Sequence, residues 1–286
     1  MSRYAKPISL DEALTLLGDA SWRMLAGGTD FYPAQGARPL TDNILDLNGL
    51  DALRGIAETA THIVIGARTT WSDLLRHPLT PAFDALKQAA REVGSVQIQN
   101  MASVAGNLCN ASPAADGVPP LLVLDAEVEL RSVRGSRVLP LGEFILGNRK
   151  TALMSNELVT AIRVPKSSAQ GSSAFVKLGA RRYLVISIAM AAARIELAGD
   201  GSIASAAIAV GSCSAVAQRL AGLEAALVGL QPGPDLDRAV AGADLAALTP
   251  IDDVRGTAEY RRAAAREIVL RALAQASAPS GRSVAA

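Results

Sequence analysis

The chain has 286 residues, which is enough material for two domains of ordinary size. Apolar residues make up 50% of it but aromatic residues only 3%, and 28 Lys and Arg residues nearly balance 27 Asp and Glu residues. The even charge and the scarcity of rings argue against a protein that binds nucleic acid through a basic surface or by base stacking.

Cysteine and histidine are sparse. The two cysteines, Cys109 and Cys213, fall short of the roughly four thiolates that an iron–sulfur cluster takes. His62 and His77 lack a Cys, an Asp or a second His at ligand spacing, so no metal site is expected. The sequence shows neither the apolar core of a signal peptide nor an apolar run of about 18 residues. We therefore expect a cytoplasmic protein with two free thiols.

The first half of the chain alternates between helix and strand signals. Ser9 and Glu12 form a capping box for a first helix, and Thr80 followed by a proline predicts a second helix that ends at Gly94. Residues 95–120, about 25 in number and rich in Asn, Ser, Gly and Ala, are predicted as one long loop. Strands are predicted at 24–26, 44–47, 62–67, 121–124, 128–130 and 158–164.

The second half begins after a polar stretch. Residues 166–173 have the composition of a linker, which predicts a domain boundary there. An apolar run at 185–197 and a strand at 202–211 are predicted to pair across a turn at 199–201. Thr257 is a candidate N-cap for the last helix. The other predicted elements are a strand at 175–178 and helices at 215–228, 234–241 and 257–276.

Two glycines follow directly on the strand predicted at 24–26. Because glycine has no Cβ, the main chain at Gly27 and Gly28 can approach an anion closely, and Thr29 adds a hydroxyl donor. This arrangement can hold a pyrophosphate without a lysine. Taken alone, the pattern also fits an ordinary turn.

A second stretch of small residues lies at 103–107 and 112–116. Ser103 and Asn107 offer side-chain hydrogen bonds, and Asp116 is a suitable acceptor for a ribose hydroxyl. Taken alone, this stretch also fits a buried structural loop whose polar side chains bond to their own backbone. Two such loops could hold both sides of one diphosphate, while the Gly-x-Gly-x-x-Gly and Walker lysine motifs are absent from the sequence.

These loops and several further segments resemble one known family. Residues 25–30 (Leu-Ala-Gly-Gly-Thr-Asp) and 97–116 resemble the two flavin loops of the FAD subunits of molybdenum hydroxylases. That family includes the medium subunit of aerobic carbon monoxide dehydrogenase and the flavin domain of xanthine dehydrogenase. Residues 147–151 (Gly-Asn-Arg-Lys-Thr) resemble its Gly-x-Arg-Lys-Thr segment, and the likeness covers residues 7–276. The sequence also resembles the C-terminal domain of that family at 175–182, 260–261 and 271–273.

The resemblance implies an α+β fold. It would consist of a two-lobed FAD-binding domain of the PCMH type at 1–168, a small α+β C-terminal domain at 172–276 and a tail at 277–286. Ala26 to Phe31 would face the pyrophosphate and the nearby flavin, Val159 would pack on the isoalloxazine, and Lys177 would lie near its reactive edge. The implied cofactor-binding residues are Met24, Leu25, Ala26, Gly27, Gly28, Thr29, Asp30, Phe31, Ser103, Gly106, Asn107, Cys109, Asp116, Val159 and Lys177.

Four positions depart from the family pattern. Ala105 stands where the family usually has glycine, and Met101 with Ala102 stands where Arg-Gly is common. Phe31 replaces an aliphatic residue, which would make the flavin-facing wall bulkier. The main-chain donors of both loops remain in place.

The implied function is that of an oxidoreductase subunit that passes electrons through FAD. A molybdopterin-binding large subunit and a [2Fe-2S] small subunit would be its partners in a dimer of heterotrimers, and NAD, oxygen or a quinone would accept the electrons. Two alternatives stay open. One is a self-sufficient PCMH-type flavin oxidoreductase with its own substrate pocket, and the other is a nucleotide-binding module without a redox role.

Overall fold

The computed structural model describes residues 2–278. Its strands, in chain order, are β1 (Tyr4–Ala5), β2 (Arg23–Leu25), β3 (Ile44–Asp46), β4 (Ile56–Glu58), β5 (His62–Gly66), β6 (Glu127–Ser132), β7 (Gly135–Pro140), β8 (Ile145–Gly147), β9 (Lys150–Thr151), β10 (Leu158–Pro165), β11 (Ser172–Leu178), β12 (Ala189–Leu197), β13 (Ile203–Gly211) and β14 (Gln218–Arg219).

The α-helices are mostly short. In chain order they are α1 (Leu10–Asp19), α2 (Phe31–Gln35), α3 (Trp71–Arg76), α4 (Asp84–Glu92), α5 (Val96–Met101), α6 (Val104–Asn110), α7 (Val118–Val123), α8 (Leu141–Phe144), α9 (Ala221–Leu227), α10 (Pro234–Gly242) and α11 (Ala258–Ser277). Single 3₁₀ turns lie at Leu47–Gly49, Asp51–Leu53, Pro81–Phe83 and Lys166–Ser168.

The chain divides into two compact units that interleave along the sequence. The N-terminal unit comprises the residues up to His77 together with Val93–Ser112 and Ala126–Val164, and the remainder forms the C-terminal unit. Helices α4 and α7 therefore belong to the C-terminal unit, although both precede residue 168. The domain boundary between 168 and 172 stays a prediction. The predicted tail at 277–286 lies almost wholly outside the described residues.

The N-terminal unit contains a three-stranded sheet in the order β1-β3-β2 and a five-stranded sheet in the order β4-β5-β10-β6-β7. The three-stranded sheet is parallel, and α1 contributes Leu14 and Leu17 to a core with Leu45. Ser9 caps α1 as predicted, but Glu12 accepts from the backbone of Ile8 and not from that of Ser9. Strand β2 ends at Leu25 and pairs in parallel with β3. The turn at Gly27 and Gly28, called the glycine turn below, therefore lies at the carboxyl end of this sheet.

The C-terminal unit is built on one antiparallel sheet in the order β11-β12-β13-β14, covered by α11. Strand β12 carries small buried residues, among them Ala191 and Ala193, and these let α11 approach closely with Ala265 and Ala272. The predicted pairing of β12 with β13 is confirmed. So is the N-cap of α11, since the hydroxyl of Thr257 accepts from the backbone of Tyr260.

Two predicted elements are wrong. Residues 95–120 are not one loop, because Ser95 and Ser103 cap two short helices, α5 and α6, which together make up half of the stretch. Residues 121–124 are not a strand, because they end helix α7, whose first turn accommodates two prolines. Helices of six or seven residues carry too little apolar periodicity to be read from the sequence.

Other predictions hold only in part. The helix predicted at 215–228 is shortened to α9, since Gln218–Arg219 pairs with β13 instead. Thr80 does not cap its helix. Its hydroxyl donates to the carbonyl oxygen of Ala169, and a 3₁₀ turn precedes α4.

Candidate cofactor site

A cavity of about 840 Å³ opens within the N-terminal unit. This volume is in the range of ligand-binding sites in proteins. The glycine turn forms one part of its wall, and the segment from Ala102 to Asn110 forms another. Further lining residues are Trp22, Arg23, Ala34, Leu47, Ala67, Arg68, Trp71, Val93, Ile98, Leu153, Met154, Ser155 and Leu158.

The two predicted loops meet at the main chain. A Cβ added to Gly27 would overlap with the carbonyl oxygen of Met101, so only glycine fits at this position. Gly28 adopts a left-handed conformation with φ +76°, and its missing side chain leaves room for the ring of Tyr32. The side-chain amide of Asn48 donates to the carbonyl oxygen of Ala26 at 2.8 Å and fixes the start of the turn.

Helix α6 is held in the cavity wall from its first turn. The Ser103 hydroxyl accepts from the backbone N–H of Gly106 at 3.0 Å, and a Cβ on Gly106 would lie 2.9 Å from that same hydroxyl oxygen. The Val104 N–H donates to the carbonyl oxygen of Thr69 at 2.9 Å. Small residues here bring bare main chain to the cavity surface.

The far end of α6 is held by Arg149, from the segment at 147–151. The Arg149 N–H donates to the carbonyl oxygen of Ala111 at 2.9 Å, and its guanidinium donates to the side-chain and main-chain oxygens of Asn110. Both Arg149 (φ +59°) and Ala111 (φ +46°) are left-handed non-glycine residues. Two left-handed residues joined by one hydrogen bond indicate that the surrounding structure fixes the backbone conformation at this junction.

The cavity wall also contains polar atoms without a protein partner. Asn107 Oδ1 and Trp71 Nε1 are buried and find no hydrogen-bond partner among residues 2–278. Both residues line the cavity. An acceptor and a donor left unpaired in the wall, next to a main chain freed of side chains, fit a polar ligand with extended phosphate and hydroxyl groups.

Comparison with known proteins identifies the family. The model of the FAD binding domain in molybdopterin dehydrogenase matches residues 1–167, and that of the CO dehydrogenase flavoprotein C-terminal domain matches residues 174–276. The chain belongs to this family of FAD-binding subunits. The predicted family, fold class and FAD cofactor are thereby confirmed.

Relatives and solved structures agree with this assignment. The chain is 32% identical over 275 residues to the carbon monoxide dehydrogenase medium chain of Hydrogenophaga pseudoflava, covering 94% of this chain and 95% of the relative. It is 37% identical over 193 residues to the nicotinate dehydrogenase FAD-subunit of Eubacterium barkeri, covering 65% of each. A solved structure of carbon monoxide dehydrogenase from Hydrogenophaga pseudoflava matches with a TM-score of 0.88 and covers 96% of both chains at 32% identity.

Most of the residues predicted to bind FAD line the cavity of the N-terminal unit. Leu25 does not. It is the last residue of β2 and is buried. The lining members are Met24, Ala26, Gly27, Gly28, Thr29, Asp30, Phe31, Ser103, Gly106, Asn107, Cys109 and Val159.

Two of these lining residues have a defined local setting. The Arg23 guanidinium lies 4.1 Å from the centre of the Phe31 ring and donates to Gln35, so the bulkier wall expected at Phe31 is held in one position. Cys109 lines the cavity, and burial of its thiol among the surrounding protein atoms raises its pKa to about 12. The thiol therefore stays protonated at neutral pH and supplies no nucleophile.

Asp116 and Lys177 lie in the C-terminal unit and bind each other. Lys177 Nζ donates to Asp116 Oδ2 at 2.6 Å, and the Ser187 hydroxyl donates to Asp116 Oδ1 at 2.6 Å. Burial raises the pKa of Asp116, while Lys177 and Ser187 oppose that shift. Neither residue lines the 840 Å³ cavity; Lys177 lines a smaller one of about 300 Å³ with Arg91, Arg181 and Arg182. Their contacts with the ribose and the flavin edge stay predictions.

Sequence reasoning missed several wall residues, Trp71 above all. The pattern Thr-x-x-Asp at 70–73 is a capping box, and it could have located α3 and with it Trp71. Arg23, Arg68 and Leu153 carry no local signal, since only the tertiary fold brings them to the cavity.

Proposed function

We propose that the cavity of the N-terminal unit holds FAD and that the chain passes electrons from the iron–sulfur clusters of a partner to an external acceptor. One observation carries this proposal: the glycine turn contacts the main chain of Met101 and Ala102 in the wall of the cavity. The chain around that cavity matches an FAD-binding domain. Bound FAD would supply two-electron capacity with a stable one-electron state.

The residues of this chain would bind and orient the cofactor. Main-chain N–H groups around Gly27 and Gly28 would hold the pyrophosphate, with Thr29 adding a hydroxyl, while Gly106, which has no side chain, would let the ligand approach the opposite wall. Asn107 would accept from a hydroxyl or N–H group of the ligand, because its Oδ1 is otherwise unpaired among the described residues. Val159, which is 3% exposed on β10, would pack on the isoalloxazine and exclude water from it.

The proposed partners are a molybdopterin-binding large subunit and a [2Fe-2S] small subunit in a dimer of heterotrimers. Support comes from the names of full-length relatives, which are medium chains or medium subunits. The proposed acceptor is NAD, oxygen or a quinone, and the proposed location is the cytoplasm, in keeping with two unpaired cysteines. Among the described residues, no helix is both long enough and apolar enough to span a membrane.

The test compares the isolated chain with the chain co-expressed with the two proposed partner subunits. The isolated chain should take up equimolar FAD, and carbon monoxide, xanthine, aldehydes or N-heterocycles should not bleach its flavin band. In the assembled complex, whichever of these compounds is the substrate should bleach the flavin band. Reduction of the isolated chain by a substrate would favour a self-sufficient flavin oxidoreductase instead. A colourless chain that takes up no FAD would contradict both readings.

A further inference from the structure

Trp71 is fixed at the edge of the cavity by its own backbone. It is the first residue of α3, after the N-cap Thr70, whose hydroxyl and Asp73 form a complete capping box. The Trp71 N–H donates to the carbonyl oxygen of Ala102 at 3.2 Å, and Thr70 forms a β-bridge with Ser103. The residue therefore belongs to the same rigid junction as the second flavin loop.

The indole of Trp71 is completely buried, yet its Nε1 finds no acceptor in the described part of the chain. An unmet donor in a protein interior is unfavourable and is rarely retained without a partner of some kind. The chain has one other tryptophan, Trp22, which also lines the cavity. Its Nε1 donates to the carbonyl oxygen of Leu16 at 2.7 Å. Within the described residues, the protein thus supplies a hydrogen-bond acceptor for the indole N–H of Trp22 but none for that of Trp71.

We propose that the Trp71 indole N–H donates a hydrogen bond to an oxygen of the bound FAD. This inference rests on the proposed function. FAD is rich in phosphate, hydroxyl and carbonyl oxygens, and Asn107, another residue of the same cavity wall, has an unpaired acceptor. The backbone contacts of Trp71 and Thr70 hold the residue at this junction, and an oxygen of the ligand would supply the acceptor that the described residues lack. The rival explanation is an internal water that bonds to the indole whether or not FAD is bound.

The first experiment removes only the N–H group. In a Trp22→Phe background, the full chain is produced with either tryptophan or its isostere benzothienylalanine, so the two samples differ only at position 71, where sulfur replaces N–H. We expect the isostere to weaken FAD affinity by about 5- to 100-fold while the melting temperature of the FAD-free chain stays equal or rises. Unchanged affinity would overturn the proposal. So would a lower melting temperature with affinity intact, which is the result that an internal water predicts.

A second measurement uses the unaltered chain in case the Trp22→Phe background folds poorly. Its ¹H–¹⁵N spectrum contains one indole peak for each of the two tryptophans. Saturation with FAD should move the Trp71 proton and nitrogen downfield and slow the exchange of that proton with solvent. A Trp71 peak that does not change at saturating FAD would refute the hydrogen bond. If the chain binds no FAD at all, the proposed function itself fails, which is a separate result.

Discussion

The carbonyl oxygen of Met101 occupies the space in which a side chain at Gly27 would stand. Two loops separated by more than seventy residues are thus in contact through bare main chain. This relationship gives the sharpest test of the cofactor site.

Gly27→Ala should abolish stoichiometric FAD retention, because the added methyl group has to push the two loops apart. Flavin absorbance of the purified chain measures the retained FAD. The matched control is Gly142→Ala, since a Cβ at that position would meet no described atom within 4 Å. Equimolar flavin in Gly27→Ala would show that the junction is not part of the binding site.

Arg149→Ala should weaken FAD affinity by about 3- to 10-fold, because the C-terminal end of α6 loses its guanidinium contacts with Asn110. Fluorescence titration with FAD measures the change. Lys150→Ala in the same hairpin is the control, since the Lys150 side chain makes no hydrogen bond or ion pair with the described residues. Equal affinity in the Arg149 and Lys150 variants would contradict a positioning role for Arg149.

Asp73→Asn should destabilise the chain by about 1–2 kcal/mol at neutral pH, since it loses its ion pair with Arg54 and weakens the α3 capping box. The Arg54 guanidinium lowers the pKa of Asp73 from 3.8 to about 2. Because the pKa of Asp73 is lower in the folded state than in the unfolded state, the ionised carboxylate stabilises the fold fully at pH values above 3.8. This stabilisation is lost as the pH falls through about 2. Urea unfolding should therefore show the gap between wild type and variant closing from pH 4 to pH 2. A gap independent of pH would contradict this account.

Lys177→Met should destabilise the C-terminal unit by about 3–5 kcal/mol, because it leaves the Asp116 carboxylate buried without its counter-ion. Chemical denaturation measures the loss. Adding Asp116→Asn to this variant should restore part of the stability, since the uncompensated charge is gone. If the double variant is no more stable than Lys177→Met, the pair is not coupled in the way that its 2.6 Å contact indicates.

The sequence predicted those parts of the site that depend on local chemistry. The glycine pair after β2, the cap of α11 and the pairing of β12 with β13 are all written in residues close together in the chain. The family motif also marked the second loop. These signals located two parts of the cavity wall, the turn at Gly27 and Gly28 and helix α6.

The remaining features depend on distant contacts. Helices α5, α6 and α7 are too short to show a period and are stabilised by their caps and by packing. Asp116 looked like a free acceptor, yet the fold pairs it with Lys177 and Ser187, which lie more than sixty residues further along. Trp71 could not be recognised as a wall residue until α3 was placed.

Helix α6 is tied down at both ends, by Thr69 at its start and by Arg149 at its finish. A wall anchored in this way gives up little conformational entropy when a ligand enters, so most of the interaction energy is available for affinity. A wall held by the chain's own hydrogen bonds would be preorganised for its ligand, and cofactor loading is then expected to follow folding as a separate event.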